Sequence, residues 1–65
     1  MATWYEVFYS NNTNALQFGG AFKNEKEAIQ KAEVFKNAIV YKLTKVVLKF
    51  ADGWTDVETV YNTTI

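Results

Sequence analysis

Residues 40–61 read VYKLTKVVLKFADGWTDVETVY, and the fold turns on how this stretch doubles back on itself. Runs rich in Val, Thr, Tyr and Trp flank Asp52-Gly53. Such runs favour the pleated chain, and Asp-Gly is a preferred pair for the two central positions of a type I′ hairpin turn. A two-residue loop sets Ala51 against Trp54 and carries the register with it. Phe50 then faces Thr55, Leu48 faces Val57, Val46 faces Thr59 and Thr44 faces Tyr61 on an inner side. Lys49–Asp56, Val47–Glu58 and Lys45–Val60 form the outer side, where opposite charges meet at the first pair. The strands are expected over 40–50 and from Trp54 to Tyr61, with a frayed tail after Asn62.

Upstream, residues 24–38 carry a helical pattern. Asn24 is a good N-cap, Glu27 stands three positions on, and Glu25 and Glu27 suit the positive end of the helix dipole. Ala28, Ala32, Phe35 and Ile39 recur on one stripe, and Asn37 offers a stop. Residues 3–10 and 15–22 read as two more strands around the turn cluster Asn11-Asn12-Thr13-Asn14. Closure about Asn12 and Thr13 sets Tyr9 against Leu16, Val7 against Phe18, Tyr5 against Gly20 and Thr3 against Phe22. That face is apolar, and Gly19-Gly20 marks a bulge or a close backbone approach. The expected fold is α+β, in the order β-β-α-β-β, with one helix on a four-stranded antiparallel sheet. Residues 1–65 form a single domain.

Composition narrows the function. The 65 residues contain no Cys, His, Pro or Arg, and seven Lys balance seven carboxylates. No disulfide or Cys/His zinc site is available to staple so short a chain, and catalysis by Ser-His-Asp or Cys-His groups is excluded. Stability must come from packing or from a partner. Zero net charge and the missing guanidinium argue against nucleic acid, which selects basic surfaces. The segment FGGAF (18–22) lacks the basic residue and spacing of a base-stacking motif, and Gly19-Gly20 matches no phosphate loop. Asp52, Asp56 and Glu58 read as solvated charge, since so small a chain can hardly enclose a catalytic cleft. No cofactor, metal or catalytic residue is expected, and the protein reads as a non-enzyme. The N-terminus lacks a signal sequence and no apolar run is long enough to span a bilayer, so a cytoplasmic protein with no membrane contact is expected.

In the expected registers, the helix covers one face of the sheet and leaves the other bare. That second face carries Trp4, Phe8, Val47, Trp54 and Val60, with Lys45, Lys49 and Glu58 among them. A bare sheet face is ordinarily polar. The plainer role for such aromatics is to brace a small sheet across its strands. Gathered and exposed, they point to an interface, in which Trp is the most enriched hot-spot residue. The expected partner-binding set is therefore Trp4, Phe8, Lys45, Val47, Lys49, Trp54, Glu58 and Val60.

A hairpin over 3–22, a helix capped at Asn24 and an Asp52-Gly53 hairpin, on a neutral Cys-free chain, resemble the architecture of small phage-encoded inhibitor proteins. Several anti-CRISPR proteins with a helix on an antiparallel sheet are among these. The resemblance covers residues 3–61 and transfers no functional residue, because it rests on element order and not on a motif. It implies stoichiometric binding to a host defence or regulatory protein, by occlusion, in the host cytoplasm. The alternatives are a homodimer or larger homo-oligomer assembled through the open face and, less favoured by charge, a single-strand nucleic-acid binder.

Overall fold

The computed structural model describes residues 2–10 and 15–64. It has four strands and one helix: β1 (Ala2–Ser10), β2 (Gln17–Phe22), α1 (Glu25–Ala32), β3 (Asn37–Val46) and β4 (Trp54–Asn62). The strands form one antiparallel sheet in the order β2-β1-β3-β4, and the helix lies on one face of it, over β1, β2 and β3. The expected α+β fold and element order are those of the structure. The turn cluster at Asn11–Asn14 lies outside the described residues.

Asn24 caps the helix as its residue type demands. Its side-chain oxygen accepts hydrogen bonds from the backbone N–H groups of Lys26 (2.8 Å) and Glu27 (3.3 Å). The helix is shorter than its pattern implied, ending at Ala32 and not near Asn37. The last turn tightens, with Val34 and Phe35 donating to the carbonyls of Lys31 and Ala32. From Asn37 the chain is already a strand, and every residue from Asn37 to Lys45 pairs with β1. Ile39, Val40 and Tyr41 are β-branched or aromatic, so the ladder outbids another helical turn there. Phe35 leaves the helical stripe but still reaches the core, stacking flat on Tyr9 with ring centroids 4.0 Å apart.

The core is made of small residues. Val7, Ala28, Ala32, Ala38 and Val40 are fully buried together, with Tyr5, Tyr9, Phe22, Phe35, Val60 and Tyr61 packed around them. The two alanines let α1 approach the sheet closely, and Val7 and Val40, directly opposed across β1 and β3, fill the space below.

Both hairpin registers differ from expectation. In the first, Tyr5 pairs with Phe22 and Val7 with Gly20, and Gly19 is then bulged out so that Phe8 pairs with Phe18 and Tyr9 with Gln17. Gly20 has φ of 135°, a backbone conformation that side chains disfavour. The Gly-Gly pair is thus the bulge it was expected to mark, and its consequence is that Phe18 turns away from the helix to the open face.

In the second hairpin, Val46 pairs with Trp54, and Val47–Gly53 is a seven-residue loop in place of a two-residue type I′ turn. Gly53 does not use positive φ; a Cβ there would collide with the Val46 carbonyl oxygen. The tight turn loses because of what happens at the far end of β4. It would set Tyr61 opposite Thr44, beyond the helix. The longer loop sets Tyr61 opposite Val40, where Tyr61 and the bulged Val60 pack against the core. It also lets Thr63 exchange hydrogen bonds with Ala38, its N–H donating to the Ala38 carbonyl (2.9 Å) and its Oγ1 accepting from the Ala38 N–H (3.0 Å). Thr63 is thereby tied down just where fraying was expected. Burial and ladder closure outweigh one favourable turn dipeptide.

Candidate binding surface

Strand pairing lays the open face out as rows. Ala2, Lys45 and Thr55 form the first row, and Trp4, Leu43 and Val57 the second. Ala21, Glu6, Tyr41 and Thr59 form the third, and Phe18, Phe8, Ile39 and Asn62 the fourth. The bulges at Gly19 and Val60 adjust the edges of this grid.

Aromatic contacts knit the rows together. The Phe8 ring meets Phe18 edge-on at 5.6 Å and Tyr41 edge-on at 5.7 Å, a geometry in which the positive ring edge points at a negative ring face. Trp4 donates its indole N–H to a Glu6 carboxylate oxygen at 2.8 Å, which fixes both side chains on the surface. Phe18 and Val57 are each 58% exposed, Trp4, Phe8, Tyr41 and Leu43 are half-buried, and Ile39 and Ser10 at the Phe8 end of the face are buried. An apolar recess of about 290 Å³ borders Trp4, Ala21, Phe22 and Lys23 at the β2 edge.

Of the expected partner-binding residues, the structure brings Trp4, Phe8 and Lys45 together on this face. The single eight-residue patch is corrected for the other five. The odd register shift turns β4 over, so Trp54 and Glu58 stand on the helix side of the sheet, opposite Val46 and Lys42. Val60 is bulged and packs on the core. Val47 and Lys49 belong to the loop at the end of the β3–β4 hairpin. In their stead the open face gains Phe18, Tyr41, Leu43 and Val57, with Ile39 buried on the same side of β3. The alternation of Ile39, Tyr41 and Leu43 is visible in the sequence once β3 is started at Asn37. Phe18 follows from the bulge that Gly19-Gly20 signals, whereas Val57 depends on a loop length that no local pattern specifies.

The loop forms a second exposed apolar region. Phe50 is 91% exposed with the Lys49 ammonium 5.3 Å from its ring centroid, and Val47, Leu48 and Trp54 are exposed beside it. A cleft of about 260 Å³ lies between this loop and the strand ends, lined by Lys45, Val46, Asp52 and Trp54 among others.

Chemically, the face offers apolar and aromatic contact framed by a few polar groups. No cluster of three or more carboxylates able to hold a metal ion occurs among the described residues. No helix among them is long and apolar enough to cross a membrane. No protein-family model, curated protein or solved structure matches the chain.

Proposed function

We propose that this chain is a non-catalytic protein-binding module whose working surface is the open face of its sheet. The observation that carries the proposal is the contiguous set Trp4, Phe8, Phe18, Tyr41, Leu43 and Val57, uncovered on a face that is ordinarily polar. The surface is preformed, since strand pairing and ring contacts hold it, and little ordering entropy is lost on binding. A preformed flat surface acts by covering what it binds. Resemblance to small phage-encoded inhibitors adds a host defence or regulatory protein as one class of partner. Zero net charge favours protein over nucleic acid.

The test is capture by the immobilised chain, with untagged chain and a lysate of the organism carrying the gene offered together. Wild type and Val34→Asp, altered in the exposed turn that follows the helix, are expected to retain the same partner. Phe18→Asp and Val57→Asp are expected to lose it, with unchanged circular dichroism. Capture that survives both open-face charges and is lost in Val34→Asp would place the working surface on the helix side instead.

A further inference from the structure

We infer that the open face is covered by a second copy of this chain, in a two-fold face-to-face dimer that also buries the β3–β4 loop. This rests on the open face being the binding surface and names what binds it.

The first ground is area. A folded monomer of 7.5 kDa is expected to expose about 4,250 Å². This chain exposes 4820 Å². The surplus of roughly 600 Å² approaches the share of about 800 Å² that each partner contributes to a stable interface. The chain is a thin slab of 45 × 23 × 16 Å. Its short extent of 16 Å holds one sheet and one helix, and among the described residues the helix lies on the side away from the open face. A second sheet packed about 10 Å away would complete the layers.

The second ground is self-complementarity of charge. Glu6 and Lys45 are the two charged residues in the central β1 and β3 rows of the face. They lie two rows and one strand apart, on opposite sides of the Trp4–Leu43 pair. A two-fold axis in the interface, passing beside Trp4 and Leu43, sets Glu6 of each copy over Lys45 of the other. The same rotation carries the Phe8–Phe18 end of one copy beyond the Lys45 row of the other, where Val47–Gly53 lies. One operation thus covers both exposed apolar regions, with Phe50 against the Phe8–Phe18 end. Zero net charge removes any long-range repulsion between identical copies.

The sheet edges are poorer routes to self-association. A symmetric antiparallel pairing of β4 centred on Val57 sets Asp56 against Glu58 of the other copy, and one centred on Glu58 sets that residue against itself. The other edge, β2, has six residues and a bulge.

The experiment is sedimentation equilibrium on the intact chain and on Glu6→Lys, Lys45→Glu and the double variant, over a dilution series, with circular dichroism to confirm folding. Wild type is expected to run at twice the chain mass. Each single reversal juxtaposes like charges at two symmetric contacts and is expected to weaken the dimer about tenfold or more, while the double variant recovers it. A folded monomer at every concentration overturns the dimer. In that event, capture of another protein that is lost in Phe18→Asp keeps the open face as a binding surface for a host partner; no such loss overturns both. A dimer indifferent to both single reversals also overturns the arrangement.

Discussion

The two faces of the sheet differ in how far their apolar side chains are covered. Under the helix lie Val7, Ala28, Ala32, Ala38 and Val40, small and fully buried. On the open side lie Trp4, Phe8, Phe18, Tyr41 and Leu43, large and half-covered at best. Aromatics stand on both faces: Tyr5, Tyr9, Phe22 and Tyr61 close round the core beside the helix, while those on the open side have no helix over them. The centre of the covered face is small enough for close approach of a short helix, whereas the aromatics of the open face stay half-exposed. The difference teaches that the face which folds the chain and the face proposed to bind are distinct, and that a substitution of one kind should have different effects on the two.

The sharpest break of this comparison is a charge placed on each side. Val40→Asp buries an unpaired carboxylate between Val7 and the helix and is expected to cost more than about 4 kcal/mol, leaving the chain unfolded by circular dichroism. Its counterpart on the open face, Phe18→Asp, should change the thermal midpoint of the isolated monomer little. Next in size is Gly53→Ala. Its Cβ meets the Val46 carbonyl oxygen, so the loop must shift, at an expected cost of roughly 1–3 kcal/mol by urea denaturation. If Gly53 served a type I′ turn, Gly53→Asn would be nearly neutral; in the observed loop Asn is expected to be as harmful as Ala. Smallest is Asn24→Ala, which removes the cap from two backbone N–H groups and should cost about 1 kcal/mol.

The elements were legible in the sequence because their signals are local. The Asn24 cap, the β-branched and aromatic runs and the Gly19-Gly20 bulge each depend on a few neighbouring residues. Strand order and registers are not local. The helix pattern ran on to Ile39 because Ala28, Ala32 and Phe35 keep the right period; only pairing with β1 shows that Asn37 onward is strand. Asp52-Gly53 indicated a tight turn because the dipeptide favours one, yet the position of Tyr61 beside Val40 decides the loop length from the far end of β4. With a period of two, that odd shift sent Trp54 and Glu58 to the helix side. Trp4, Phe8 and Lys45 share one face because the β1–β3 ladder runs without a shift, whatever the hairpins do.

The central claim, that a second copy covers the open face, can be read from the two tryptophans separately. With Trp54→Phe, Trp4 is the sole reporter, beside the inferred two-fold axis; with Trp4→Phe, Trp54 reports from the helix side. The measurement is acrylamide quenching of each variant across a dilution series. Quenching of Trp4, beside the axis, is expected to rise steeply as the chain is diluted, and by more than that of Trp54, which stands on the helix side at the rim of the loop. A Trp4 whose quenching is the same at every concentration, in a folded chain, would contradict the account.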